Sequence, residues 1–183
     1  MTNTALLVID VQRAAFDGVH CPPIDRSTTL VENALELVRA AHAGGVPVVF
    51  IQHGEGPGEP FEEDSPHWQL HEALRPQADD TVVRKRASSA FEGTDLAAVL
   101  EGFGAKALVL CGLQSEFCVS NTARSALAGG FEVVLAEDAH STWPSKTESA
   151  IEISERVNHE LEAGGARLSP TASLAHALRE RRA

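Results

Sequence analysis

Asp10, Lys85 and Cys118 each stand where a strand-like run ends, and as a set they suit nucleophilic acyl chemistry. A carboxylate takes the thiol proton, a cation steadies the developing anion, and a thiolate attacks a carbonyl carbon. Cys118 lies in Cys111-Gly-Leu-Gln-Ser-Glu-Phe-Cys-Val119, between a hydrophobic run at 106–110 and an amphipathic run at 116–128. That position is the first turn of a helix at the carboxyl end of a buried strand. Helix-start N–H groups lower a thiol pKa below the ~8.5 of a free thiol, and the carboxyl ends of strands are where open α/β sheets bind ligands. Taken singly, each residue has a plainer reading. Cys118 packs as a small buried hydrophobe, Asp10 caps a helix or serves a loop, and Lys85 joins Arg84 and Arg86 in a solvated basic patch. Strand alternation nevertheless turns one basic residue of those three inward.

The elements that must position them alternate along the chain. Residues 5–11 form a continuous apolar run closed by Asp10 and Gln12, the pattern of a strand buried on both faces. Residues 29–43 carry Leu30, Ala34, Leu37, Val38 and Ala41 at helical spacing, stopped by Gly44-Gly45. Further strands are expected at 46–52, 81–84, 106–111, 131–136 and 166–169, with helices at 68–74, 94–103 (Thr94 as N-cap), 116–128, 147–162 and 171–181. Residues 53–66, rich in Gly, Pro and acid, read as a long loop over the site. Six strands separated by helices predict a three-layer α/β/α sandwich around a six-stranded parallel sheet, built as a single domain over residues 1–183.

Composition narrows the partners. A net charge of −11 argues against nucleic acid and against anionic membranes, both of which call for clustered Lys and Arg. No apolar stretch approaches the ~18 residues of a membrane span. The strand-like run near the amino end leaves no room for a secretory leader, and three cysteines without metal-type spacing fit a reducing cytoplasm.

At this point the chain resembles the isochorismatase-like cysteine hydrolases, which include nicotinamidases and N-carbamoylsarcosine amidohydrolase. The resemblance rests on Leu7-Val-Ile-Asp-Val-Gln12, on Lys85 with Ser89-Ala-Phe-Glu-Gly-Thr-Asp-Leu96, and on Gly112-Leu-Gln-Ser-Glu-Phe-Cys-Val119. Thr122-Ala-Arg124 and Asp138-Ala-His-Ser-Thr142 complete it, in order along nearly the whole chain. It implies a catalytic triad of Asp10, Lys85 and Cys118. It also implies a cis peptide between Leu113 and Gln114 and an oxyanion hole made by the backbone N–H groups of Gln114 and Cys118. The implied activity is hydrolysis of a small-molecule amide through a thioester, with no cofactor and, here, no metal. Nicotinamidases hold a metal through an Asp-x-His pair after the second strand. This chain has Ile51-Gln-His-Gly-Glu55, which lacks the aspartate and displaces the histidine. His53, His67 and His71 are tempting as metal ligands, and the four-residue spacing of His67 and His71 suits one helix face, but it also suits a satisfied surface pair. Isochorismatases proper often lack the cysteine, so Cys118 points to C–N cleavage. The 112–119 and 138–142 segments are similar to those of streptothricin hydrolases, which open a lactam.

Phe16, Trp68 and Trp143 are the aromatic candidates to wall a substrate pocket, each equally suited to anchoring a loop or meeting a second subunit. A homo-oligomer, dimer or tetramer, is expected. His140 reads as a structural hydrogen-bonding residue, and Cys21 and Cys111 as inert. Isochorismatase or nicotinamidase activity remains an alternative, and a non-catalytic flavodoxin-like ligand-binding module is a rival from another class. Against that module, Gln12-Arg13-Ala14 stands where a Gly-rich phosphate loop belongs.

Overall fold

The computed structural model describes residues 3–180. In chain order it runs β1 (Thr4–Ile9), a 3-10 turn (Arg13–Ala15), α1 (Ser27–Gly44), β2 (Val48–His53), β3 (Thr81–Lys85), α2 (Leu96–Gly102) and β4 (Ala107–Leu113). A π turn (Ser115–Val119), α3 (Ser120–Ala128), β5 (Glu132–Ser141), α4 (Ala150–Ala163), β6 (Arg167–Ser169) and α5 (Thr171–Arg179) follow. The strands pair in the order β3-β2-β1-β4-β5-β6, parallel throughout. The fold is therefore the expected α/β sandwich with a six-stranded parallel sheet. No described helix is long and apolar enough to cross a membrane.

Central position explains the unbroken apolar runs. Every residue of β1 and β4 is buried, because both faces of the sheet are covered. Alternate side chains feed two cores. Leu6, Val8 and Phe50 pack under α1 and α5 with Leu30, Leu37, Leu174 and Leu178. Leu7, Ile9 and Ile51 pack under α2, α3 and α4 with Leu96, Leu100, Ala123, Ile153 and Val157.

Several local expectations need correction. Residues 68–74 form no helix, because their backbone pairs with the chain leaving β1. Leu70 bridges Gln12, the His71 N–H donates to the Val11 carbonyl, and the Arg13 N–H donates to that of Gln69. β5 runs on to Ser141, since β4 also extends, to Leu113, and supplies partners for His140 and Ser141 beyond a register shift. The helix expected from 116 opens as a π turn. Thr94 accepts the Leu96 N–H at 3.2 Å but stands one residue before the helix's flanking position, Asp95. The expected end of the last helix at residue 181 lies outside the described residues.

Two features fix the carboxyl edge of the sheet where β4 turns over. Gly112 has φ +123°, and a Cβ there would lie 2.0 Å from the Ile9 carbonyl oxygen, so only glycine lets β4 pass the end of β1 this closely. Behind the π turn, the Asn158 Nδ2 donates to the Glu137 carbonyl, which leaves Oδ1 to accept from His140 Nε2–H at 2.8 Å. His140 Nδ1 must then accept from the Ser115 hydroxyl, also at 2.8 Å, which ties the first residue of the π turn to β5. Burial, with the Arg26 cation adding to it, pushes His140 down to about 4.

Two outcomes follow for stability. Gly112→Ala should lower it by roughly 3 kcal/mol or more, read as a fall in the urea midpoint. For His140 the folded value lies below the unfolded ~6.5, so the unfolded chain binds the extra proton between the two. Its contribution is present above pH ~6.5 and is lost as pH falls toward about 4, by up to roughly 3 kcal/mol. Urea unfolding at pH 7 and pH 4.5 should show that slope in the parent. It should be flatter in His140→Gln, whose amide still donates to Asn158 but cannot charge.

Candidate active site

The sheet order decides which strand ends meet. β1 sits between β2 and β4, and β2 sits between β1 and β3. Asp10 follows β1 directly. Its N–H still pairs with the Ile51 carbonyl, and at φ +52° the backbone then turns away, with the Gln12 N–H donating to the Asp10 carbonyl. A left-handed aspartate is tolerated better than most residues. Lys85 ends β3 with its side chain turned in, while Arg84 and Arg86 are exposed. Arg84 covers the Trp68 ring at 4.7 Å, and Arg86 makes a two-pronged contact with Glu63 at 2.9 Å. Cys118 is carried by the π turn after β4, past a cis peptide bond between Leu113 and Gln114.

These elements bring the three side chains together. Lys85 Nζ lies 2.8 Å from Asp10 Oδ2 and 3.2 Å from Cys118 Sγ. The lysine side chain has 0% exposure and that of Asp10 5%, so neither charge is screened by bulk water. Burial raises the Asp10 carboxyl above its usual value even though Lys85 opposes the shift. Lys85 is itself penalised by burial, yet the Asp10 carboxylate and the Cys118 sulfur hold it above the ordinary lysine value. Asp10 Oδ1 is buried without a hydrogen-bond partner.

The thiol behaves differently from the expectation drawn from a helix start. Burial, reinforced by the Asp10 carboxylate, pushes Cys118 up to about 11, and Lys85 only partly offsets this. Desolvation and a like charge outweigh one cation, and the residue belongs to a π turn rather than the first turn of α3. Cys111, fully buried in β4, is raised by desolvation alone. Cys21 donates to the Ala14 carbonyl.

His53 invites attention from the sequence only as a metal ligand, and its place beside Lys85 is the feature that reading along the chain missed. Because β2 lies between β3 and β1, its last residue falls between Lys85 and Asp10, and His53 is in register with Lys85. Its Nδ1 is 3.2 Å from Lys85 Nζ, and its Nε2 is 3.6 Å from Glu55 Oε1. Gln12 clamps its backbone from both sides, accepting the His53 N–H at 2.8 Å and donating to the His53 carbonyl at 2.9 Å. The signal was available: once strand ends are placed on one edge, the end of the intervening strand is placed too. The other two histidines weighed as ligands sit apart, His67 paired with Asp17 and His71 edge-on to Phe16.

The aromatic candidates do not converge. Trp68 is 3% exposed, and its carbonyl accepts from Gln12 and Gln52. Trp143 donates to the Pro22 carbonyl at 2.6 Å. Phe16 lines a separate hollow with His71, Val31 and Glu32. A cavity of about 670 Å³ reaches His53 and is lined also by Glu55, Glu59, Glu62, Glu63 and Arg86, from the long loop and the end of β3.

Comparison with known proteins places this geometry. The isochorismatase domain model matches residues 4–159. A streptothricin hydrolase of Streptomyces noursei is 38% identical over 139 residues, covering 76% of this chain and 50% of that protein, so the chain spans about half its length. The ureidoacrylate amidohydrolase RutB of Pseudomonas savastanoi pv. phaseolicola is 30% identical over 183 residues, covering 81% of this chain and 75% of that one. Among solved structures, a putative isochorismatase from Burkholderia xenovorans LB400 superposes with a TM-score of 0.90 at 30% identity, over 98% of this chain and 89% of the other. The chain belongs to the isochorismatase-like hydrolase family.

Proposed function

We propose that the protein is a cysteine-dependent amidohydrolase that cleaves a C–N bond of a small molecule through a thioester. The observation that carries this reading is the contact of Lys85 Nζ with both Asp10 and Cys118 Sγ, at 2.8 and 3.2 Å. Cys118, raised to about 11, rests as a thiol at neutral pH. Asp10 takes its proton as the sulfur attacks the amide carbonyl, and the unpartnered Oδ1 is available to receive it. Lys85 stabilises the sulfur anion. The tetrahedral oxyanion is held by the backbone N–H groups of Gln114 and Cys118. The protonated Asp10 then gives its proton to the departing nitrogen, and ammonia or an amine leaves. A water deprotonated by Asp10 attacks the thioester, and the acid is released with the thiol restored. An amide substrate agrees with the name of the ureidoacrylate amidohydrolase relative, and the resemblance to streptothricin hydrolases adds a lactam. We place the protein in the cytoplasm as a single-domain homo-oligomer.

A panel of amides, lactams, ureides and carbamoyl compounds scored for release of ammonia or acid identifies the substrate. On any compound turned over, Cys118→Ala and Asp10→Asn should each lower kcat/KM by roughly a thousandfold or more, and the double variant should be little worse. Full turnover by Cys118→Ala would exclude the covalent route. Turnover should also survive exhaustive chelation, because His53 is engaged with Lys85 and no aspartate stands two residues before it. Loss with EDTA, restored by one divalent metal, would reverse that expectation.

A further inference from the structure

The Lys85 ammonium is over-subscribed. It has three N–H bonds to give, and four acceptors lie within reach. These are Asp10 Oδ2 at 2.8 Å, the Ala87 carbonyl at 3.1 Å, and His53 Nδ1 and Cys118 Sγ at 3.2 Å each. Asp10 carries charge and is closest, and the carbonyl can only accept, so both keep their N–H. The third N–H is contested between imidazole and sulfur, at equal distances.

His53 is equipped for that contest. Nδ1 accepts only when the ring proton is on Nε2, and Glu55 Oε1, 3.6 Å from Nε2, favours that tautomer. The charged groups facing the ring are Lys85 and Asp10 from β3 and β1 and Glu55 from the loop, and the Phe61 ring packs edge-on at 6.0 Å. Burial and the Lys85 cation hold the imidazole below the ordinary histidine value, so it is neutral near pH 7. The Gln12 clamp on its backbone limits retreat from the lysine.

We propose that His53 competes with Cys118 for the third Lys85 N–H and thereby sets how much of the thiol rests as thiolate. It is a positioning residue that acts through Lys85, and the proposal rests on Cys118 being the nucleophile. While Nδ1 holds the N–H, sulfur keeps its own proton. When the N–H turns to sulfur, the thiol proton passes to Asp10 and the anion gains its donor. One proton moves, no electrons are exchanged, and His53 returns to its bond when the sulfur is reprotonated.

The test needs no substrate. The rate of Cys118 alkylation by iodoacetamide, read by peptide mapping across pH, gives a midpoint and a high-pH plateau for the full chain. His53→Leu removes the acceptor and keeps most of the bulk, and His53→Met serves if the leucine chain does not fold. Either should lower the midpoint by about one unit, which is roughly three- to fourfold faster labelling below it once the weaker nucleophilicity of the lower-pKa thiolate is counted. His53→Asn, whose amide oxygen can stand near the Nδ1 position, should keep the midpoint of the parent. An unchanged or higher midpoint in the apolar variants overturns the proposal, as does an equal fall in His53→Asn. A higher plateau without a midpoint shift reports exposure alone and also overturns it. Absence of Cys118 labelling in the folded parent at any pH would instead refute the nucleophile assignment.

Discussion

An ammonium without water is stable only where acceptors replace its hydration, and removing one partner of such a buried pair costs roughly 3–5 kcal/mol. Lys85 imposes that demand on the carboxyl edge of this sheet. Its Nζ has to be met from β1 by Asp10, from β2 by His53, from its own strand end by the Ala87 carbonyl, and from the π turn by Cys118. The elements that bring these acceptors arrive with local devices. Asp10 adopts φ +52°, Gly112 lets β4 cross the end of β1, and Gln12 binds the backbone of His53 where no strand continues. These are unusual features when taken one at a time. They share a cause in the need to surround one cation.

The same enclosure sets the acid–base balance. Burial raises both Asp10 and Cys118, and the lysine alone does not reverse either shift. At neutral pH a site of this kind holds little thiolate. It holds a neutral thiol beside a carboxylate with one unused oxygen, so charge on sulfur appears only as the proton leaves. Thiolate nucleophilicity falls as thiol pKa falls, so a sulfur with a high pKa is intrinsically the stronger attacker once deprotonated. The proposed mechanism exploits that strength by pairing deprotonation with attack.

Much of the sheet was legible because parallel strands buried on both faces leave unbroken apolar runs, as at 5–9 and 107–111. The meeting of Asp10, Lys85 and Cys118 was legible because each stands at or just beyond a strand end, and a carboxylate closing an apolar run, as Asp10 does, contradicts its surroundings. The segment 68–74 was not, since its backbone pairs with residues more than fifty positions earlier, and local periodicity carries no trace of that partner. The place of His53 beside Lys85 was missed for a related reason. Its importance comes from lateral strand order, which puts β2 between β1 and β3, and not from anything adjacent in sequence. The thiol's direction of shift was misjudged because helix-start reasoning counts nearby dipoles and cations. Desolvation depends on the whole enclosure.

The loop that walls the cavity is tied to the same strand end that holds the lysine. Its first residue, Gly54, donates to the Lys85 carbonyl at 2.8 Å, and a Cβ at Gly54 would lie 2.3 Å from Glu63 Oε1. Glu63 in turn holds Arg86, the next residue along the chain from Lys85. Glu55, one residue beyond Gly54, lies against the Nε2 edge of His53, whose other nitrogen faces the ammonium. The loop therefore reaches Lys85 by two routes, through its backbone and through the imidazole. A change in the conformation of residues 54–63 cannot leave the lysine's surroundings untouched. A ligand in that cavity would therefore lie against His53 and Glu55, the pair through which the loop faces the Lys85 ammonium.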